Sequence, residues 1–198
     1  MDSFDPWLSN QDLMKVFDWE TVFGNENEVQ VDLGAGDGSF ALGLAEKRRE
    51  INLIAVERLL GRVRKIAKKA VKNNYSHLRA MRLESWYFIK YMCPPESLSI
   101  IHIMFPDPWP KRKHFRRRLI QPEFIDAAFR ALKPGGVVRF STDHDEYFQW
   151  MLKTWAPMQG WEKLGEWDFS EDPKSDFQLH FEGKGKLPNR CAWEKVLK

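Results

Sequence analysis

Apolar runs of strand length alternate with segments of helical periodicity along most of this chain. The first run, Val29–Leu33, leads into a glycine-rich turn, and helical apolar spacing follows over 39–50. The later strand-like runs are 52–57, 78–83, 98–105 and 137–142, and the later helix-like segments are 58–73, 84–92, 121–132 and 146–155. Strands that alternate with helices favour a mostly parallel sheet with helices on both faces. We therefore predict an α/β fold.

The two ends of the chain depart from this alternation. Strand-like pieces lie near 161–168 and 192–197, and we predict that they close the sheet as an antiparallel hairpin at its edge. With them, the predicted sheet has seven strands. Before the first strand, 1–28 is a polar lead-in with one short amphipathic piece at 13–23.

Cysteine content and hydropathy exclude several classes of protein. Cys93 and Cys191 are too few for a disulfide framework in a chain of 198 residues, so a reducing cytoplasm is expected. No Cys/His spacing fits a zinc site, and we predict no metal. The first residues lack the basic start and apolar run of a signal peptide. No apolar run approaches the ~20 residues of a membrane helix, so no membrane partner is expected.

Three glycines and two acids lie at the ends of the first two strands. Gly34, Gly36 and Gly38 form a GxGxG turn, which allows a tight bend and a close approach of the backbone to a ligand. Asp32 lies near the end of the first strand. Glu57 ends the second, where an acid can hold ribose hydroxyls in doubly wound sheets. The spacing of the dinucleotide fingerprint is missing, so an NAD site is not favoured.

The end of the fourth strand carries an acid between two prolines. Pro106 and Pro108 flank Asp107 and restrict its backbone, which presents the carboxylate in a fixed position. Ligands of open α/β sheets bind at the carboxyl ends of strands, so a reactive site is expected here. The alternative is a rigid turn without a chemical role.

A basic run follows at once, since six of the eight residues in 111–118 are Lys or Arg. In an arbitrary protein such a run is an ordinary solvated loop. Beside a strand-end carboxylate, we interpret it as a flexible loop that binds phosphates and steers a polyanion to the site. A second basic set lies on the helix-like segment 58–73, where an RNA surface and a solvated face are both compatible with the sequence.

These residues resemble known proteins at two levels, a broad class and one family within it. The segment 29–142 resembles class I S-adenosylmethionine-dependent methyltransferases, which have a Rossmann-like fold. Phe105–Phe124, FPDPWPKRKHFRRRLIQPEF, closely resembles the signature of the bacterial tRNA (guanine-N7-)-methyltransferases. The resemblance implies S-adenosylmethionine as cofactor and methyl transfer to N7 of a guanine in the tRNA variable loop. The implied cofactor contacts are Asp32, Gly34, Gly36, Gly38, Glu57, Glu84 and Asp107.

Asp107 is the catalytic residue that the resemblance implies. Its carboxylate would accept hydrogen bonds from the guanine N1–H and amino group and so turn N7 toward the methyl group. N7 carries a lone pair and no proton, so the reaction needs alignment rather than a general base. The implied substrate contacts are Lys111, Arg112, Lys113, His114, Arg116, Arg117, Asp143 and Glu182. Leu179 stands where the family usually has the Thr of a Thr-x-x-Glu motif.

The chain shows no linker, repeat or low-complexity segment, so we predict one domain over 1–198. Its expected parts are the lead-in 1–28, a cofactor-binding half over 29–104 and a substrate-binding half over 105–198. The expected partner is tRNA, and the protein is expected to be a monomer or a homodimer. Two alternatives stay open: a class I methyltransferase with a protein or small-molecule substrate, and a non-catalytic RNA-binding relative.

Overall fold

The computed structural model describes residues 4–8, 15–165, 167, 170, 172–174, 176–183, 185 and 187–196. The strands are β1 (Val29–Leu33), β2 (Asn52–Glu57), β3 (Leu78–Arg82), β4 (Leu98–Met104), β5 (Leu132–Thr142), β6 (Trp161–Leu164) and β7 (Asn189–Lys195). The α-helices are α1 (Trp19–Phe23), α2 (Ser39–Lys47), α3 (Leu60–Lys72), α4 (Ser85–Tyr87), α5 (Pro122–Ala131), α6 (Asp145–Trp155) and α7 (Asp176–Glu182). A π-helical segment, Phe88–Met92, continues α4, and a 3-10 helix covers Arg112–Arg117.

The described strands form one seven-stranded sheet in the order β3-β2-β1-β4-β5-β7-β6. Strands β1 to β5 run parallel, and β7 is antiparallel to both β5 and β6. The strand order reverses between β1 and β4, which is the point where open α/β sheets bind their ligands. The prediction of a mostly parallel sheet with an antiparallel pair at its edge is confirmed.

Helices cover both faces of the sheet. As a result, every residue of β1 and β2 is buried. On one face, Leu44 of α2 and Ile66 of α3 pack in a cluster with Leu53 of β2. On the other face, Phe124 of α5 packs in a cluster with Ile54 of β2. Among the described residues, no helix has both the length and the apolar character that crossing a membrane requires.

Strand β5 begins earlier than the sequence indicated. Leu98 of β4 pairs with Leu132, and Ile100 pairs with Val137, so 133–136 bulge out of the ladder within the strand. The predicted end of the preceding helix is confirmed, since α5 ends at Ala131. The predicted start of the strand at Val137 was wrong, because parallel pairing with β4 already begins at Leu132.

The lead-in is attached to the β3 edge of the sheet. Trp7 forms an isolated parallel bridge with Ala80, and the Ala80 N–H donates to the Pro6 carbonyl at 2.8 Å. The helix of this region, α1, is shorter than the amphipathic piece expected over 13–23. Outside the described residues lie Leu13, Asp168 and Leu197, at the outer ends of three predicted elements.

Candidate active site

A cleft of about 360 Å³ opens at the carboxyl ends of β1, β2 and β4. The pairing register aligns these ends, since Asp32 lies beside Ala55 of β2 and His102 of β4. The residues that line the cleft include Asp32, Gly34, Gly36, Glu57, Glu84 and Asp107. The fold therefore gathers at one site six of the seven positions expected to contact a cofactor.

Glu57 fixes the glycine turn from the neighbouring strand. Its Oε2 accepts a hydrogen bond from the Gly36 N–H at 3.0 Å, and its Oε1 accepts one from the Leu59 N–H at 2.8 Å. The Gly34 N–H donates to the Val56 carbonyl at 2.9 Å. Gly36 has φ 57°, a left-handed conformation that glycine adopts without steric cost. The turn is thus held against the end of β2, with Glu57 at the wall of the cleft.

Gly38 packs behind the cleft rather than lining it. At its φ of 82°, a Cβ atom would lie only 2.5 Å from Cγ1 of Ile66 in α3, so a side chain here would push the two helices apart. Asp37 of the same turn pairs with Lys65 at 2.8 Å and with Arg62 at 3.4 Å. Side chains of α3 therefore hold the turn from the outside, a contact that the sequence analysis did not anticipate.

Asp32 is a buried carboxyl group in the cleft wall, with only 1% of its surface exposed. Its Oδ1 has no hydrogen-bond partner within the part of the chain that the structure describes. Burial, with a smaller effect of the Glu57 charge, raises the pKa of Asp32 to about 7. A buried acceptor with an unmet hydrogen bond suits an N–H donor or a cation on a ligand.

Glu84 is the N-cap of α4 at the end of β3. Its Oε2 accepts a hydrogen bond from the Tyr87 N–H at 2.9 Å, the usual geometry of a capping side chain. Glu84 and its neighbour Ser85 both line the cleft. Glu84 thus forms part of the cleft wall, and Ser85 adds a hydroxyl group beside it; a contact of Glu84 with the cofactor stays a prediction.

The loop after β4 has an unusual backbone on both sides of Asp107. Phe105 has φ 54° and Trp109 has φ 43°. A left-handed backbone at bulky residues costs about 1–3 kcal/mol each and persists only where the surroundings hold it. The Phe105 N–H donates to the Ser141 carbonyl of β5 at 2.8 Å, which anchors the start of the loop. Asp107 lies exposed in the cleft between these two constrained residues.

Trp109 is a cleft residue that the sequence analysis did not single out. Its ring meets His114 edge-on with the centroids 5.7 Å apart, and the Arg117 guanidinium lies 5.0 Å from its centroid. Arg117 also lines the cleft. The sequence signal that indicates Trp109 is its place two residues after Asp107, in the loop after β4 that contains Pro106 and Pro108. We call this segment the proline-framed loop.

The basic run is a short helix, which corrects its interpretation as a flexible loop. Arg112–Arg117 form a 3-10 helix whose capping residues are Lys111 and Arg118. Solvent-exposed residues of the run are Lys111, Arg112, Lys113, Arg116 and Arg117, and His114 is half-buried. Exposed cations and the contacts of His114 and Arg117 to Trp109 therefore come from the same short helix.

Arg118 is 2% exposed, so its side chain does not join the cationic surface to which the sequence assigned it. Its Nε donates to the Pro108 carbonyl at 2.8 Å, and its Nη2 pairs with Glu146 of α6 at 3.1 Å. Its guanidinium lies 3.7 Å from the ring centroid of Phe115 and 5.0 Å from that of Tyr147. Arg118 connects the proline-framed loop to α6.

Asp143 lies at the carboxyl ends of the parallel strands, as Asp107 does, but it is outside the cleft lining that the described residues define. It follows β5, which is paired to β4 up to Ser141 and Met104. The carboxyl ends of these adjacent strands place Asp143 and Asp107 in neighbouring loops. The structure therefore brings them to one edge without placing both in the cleft.

Glu182 ends α7 and also lies outside that lining. Its carboxylate accepts hydrogen bonds from Lys174 Nζ at 2.6 Å and Gln178 Nε2 at 2.7 Å, and these bonds lower its pKa. The neighbouring Phe181 ring stacks on Phe105 with the centroids 6.4 Å apart, which brings α7 to the start of the loop that carries Asp107. Leu179 of the same helix is exposed.

A parallel sheet with a glycine turn, two strand-end acids and a proline-framed acid in one cleft defines a Rossmann-like methyltransferase. The crystal structure of the 16S rRNA methyltransferase KamB has this fold, with a TM-score of 0.63 at 15% sequence identity. That similarity covers 93% of this chain and 95% of KamB.

Sequence relationships identify the family within this class. A family model described as a putative methyltransferase matches residues 26–189. The tRNA (guanine-N(7)-)-methyltransferase of Colwellia psychrerythraea is 31% identical over 180 residues, which cover 90% of this chain and 74% of that protein. The enzyme of the same name from Corynebacterium jeikeium is 34% identical over 86% of this chain and 69% of its own. The chain belongs to the tRNA (guanine-N(7)-)-methyltransferase family.

Proposed function

We propose that this chain transfers a methyl group from S-adenosylmethionine to N7 of a guanine in the variable loop of tRNA. The observation that carries the proposal is the position of Asp107, which shares one cleft with Asp32, Glu57 and the glycine turn. The acid that would select the base and the groups that would hold the methyl donor thus line the same cavity. The names of the related proteins agree with this activity.

The residues of the cleft fit the methyl donor. Asp32 offers a buried, unpaired Oδ1 to the ammonium group of its methionine part, and Glu57 faces the cleft where ribose hydroxyls would bind. Glu84 and Ser85 would border the adenine. S-adenosylmethionine supplies an electrophilic methyl group on a positively charged sulfur.

Asp107 would orient the guanine. Its carboxylate accepts hydrogen bonds, and guanine presents donors at N1 and N2 where adenine does not present the same pair. Both prolines and the left-handed residues Phe105 and Trp109 limit its movement, so little orientational freedom is lost when the base binds. Because N7 carries no proton, the chain needs no general base, and alignment is its main contribution to the rate.

The basic 3-10 helix would hold the RNA beside the cleft. Lys111, Arg112, Lys113 and Arg116 are exposed and suited to phosphate contacts, which position RNA without reading its sequence. Arg117 lines the cleft itself and would meet a phosphate close to the target base.

Asp143 and Glu182 would join the site when the base has left its stack to enter the pocket. With tRNA as its substrate, the enzyme would act in the cytoplasm.

The proposal is tested by incubating the purified protein with bulk tRNA and S-adenosylmethionine labelled in its methyl group, followed by nucleoside analysis. We expect the label in 7-methylguanosine. A protein that methylates only non-RNA substrates, or that binds tRNA without binding the methyl donor in a calorimetric titration, would contradict the proposal.

The pKa of Asp32 predicts how cofactor binding depends on pH. Below about 7 the carboxyl group is protonated in the free protein and must lose its proton to pair with an ammonium group. The affinity for S-adenosylmethionine should therefore fall by up to about tenfold for each pH unit below 7. Calorimetric titrations between pH 5.5 and 7.5 measure this slope. Asp32→Asn should bind the cofactor weakly and without the slope.

The same substitution should stabilise the protein without ligand. A raised pKa means that the folded state loses stability as the pH increases from about 4 to about 7, because the carboxyl group ionises freely in the unfolded chain while burial keeps it protonated in the folded one. Asp32→Asn should therefore melt at a higher temperature than the wild type at pH 8 and at a similar temperature near pH 4. A lower melting temperature of the variant at pH 8 would contradict the raised pKa.

A further inference from the structure

The outer side of α3 is strongly basic and carries no acidic residue. The helix contains no Asp or Glu, and its residues Val63, Ile66, Ala67 and Ala70 are buried against the sheet. Its solvent side carries Arg62, Arg64, Lys65, Lys68, Lys69 and Lys72. The net charge of the whole chain is only +3, so this surface concentrates positive charge far above the average of the protein.

Among the described residues, most of this charge has no ion-pair partner. Arg62 and Lys65 pair with Asp37 beside the glycine turn. Within the described part of the chain, no carboxylate lies within 4 Å of the charged groups of Arg64, Lys68, Lys69 or Lys72. Like charges four residues apart repel each other on a helix, as in the series of Arg64, Lys68 and Lys72. The arrangement costs stability in the free protein and suits an external polyanion.

The basic side of α3 is continuous with the cleft. Arg58 and Arg62, at the start of the helix, line the cleft together with Arg117 of the basic 3-10 helix. The thirteen residues of α3 extend about 20 Å from there. A chain of phosphates whose base enters the cleft can therefore reach both cationic surfaces.

We propose that the outer face of α3, defined by Arg64, Lys68, Lys69 and Lys72, binds the phosphate backbone of tRNA while the target base occupies the cleft. The inference rests on the proposed function, because that function supplies the polyanion. The face offers flexible cations and no groups that would read a base, so its contribution is independent of sequence and sensitive to salt.

The test is Lys68→Glu/Lys72→Glu, since neither lysine lines the cleft. Filter binding of tRNA at a series of salt concentrations should show a Kd at least about tenfold higher than that of the wild type near 0.1 M salt. The slope of log K against log salt should fall by about two, one for each lost phosphate contact. The Kd for S-adenosylmethionine should be unchanged. Lys68→Arg/Lys72→Arg should bind tRNA like the wild type.

The matched control is Lys153→Glu/Lys163→Glu, which makes the same change of charge at exposed lysines of α6 and β6. Normal tRNA binding by this control supports a binding surface that is local to α3. An equal loss of tRNA affinity in both double variants would mean that only the net charge of the protein matters, and it would overturn the proposed role of α3. If the wild type forms 7-methylguanosine and Lys68→Glu/Lys72→Glu binds tRNA normally, the inference about α3 is refuted and the proposed function stands. A wild type that forms none refutes the proposed function and the inference with it.

Discussion

Asp107→Ala is expected to lower kcat/KM for tRNA methylation by about 10³-fold and to leave the Kd for S-adenosylmethionine within about threefold of the wild type. The carboxylate lies exposed in the cleft, and the donor-binding residues Asp32 and Glu57 belong to other strands. Its removal takes away the acceptor for guanine N1–H and N2 and, of the expected cofactor contacts, leaves those of Asp32 and Glu57 in place. Single-turnover methylation and calorimetric cofactor binding measure the two effects separately.

Two further variants sharpen this test. Asp107→Asn keeps the shape of the side chain but presents an amide that can donate, so it should lose nearly as much activity as the alanine variant. Asp126→Ala removes an equally exposed carboxylate from α5, away from the cleft, and should act like the wild type. If kcat/KM of Asp107→Ala lies within about tenfold of the wild-type value, the proposed catalytic role of Asp107 is wrong.

The parts of the fold that the sequence predicted correctly are those that local patterns encode. β1 and β2 are buried at every residue, and the apolar residues that predominate in them mark them as buried strands in the sequence. Asp32 and Glu57 stand out as acids at the ends of those runs, so their place in the cleft followed from the fold. The assignment of Asp143 and Glu182 to the substrate stays a prediction.

Features that depend on tertiary contacts could not be predicted. The left-handed backbone of Phe105 and Trp109 has no sequence signature, since bulky residues are rare there and need surrounding contacts to persist. The bulge in β5 depends on where β4 pairs with it. Arg118 looks like its neighbours in the basic run, and its burial depends on contacts with distant residues such as Glu146 and Tyr147 of α6.

Arg118→Ala is expected to destabilise the protein by about 2 kcal/mol and to lower kcat by about 10²-fold at temperatures where the variant is folded. The substitution leaves the Pro108 carbonyl without its donor and opens a cavity beside Phe115. The loop that carries Asp107 is then held less firmly, and small displacements of an aligning group are costly in rate. Urea denaturation and steady-state kinetics of tRNA methylation measure the two losses.

A comparison of Arg118→Ala with Arg116→Ala distinguishes positioning of the loop that carries Asp107 from binding of RNA. Arg116 is exposed on the same 3-10 helix, so its removal should leave stability and kcat unchanged while raising KM for tRNA and lowering the salt slope by about one. Arg118→Lys keeps the charge but loses the planar fork that joins Pro108 and Glu146, so it should lose kcat with a smaller loss of stability. If Arg118→Ala instead raised KM and kept kcat, Arg118 would act through RNA binding, and its assignment as the residue that positions the loop would be wrong.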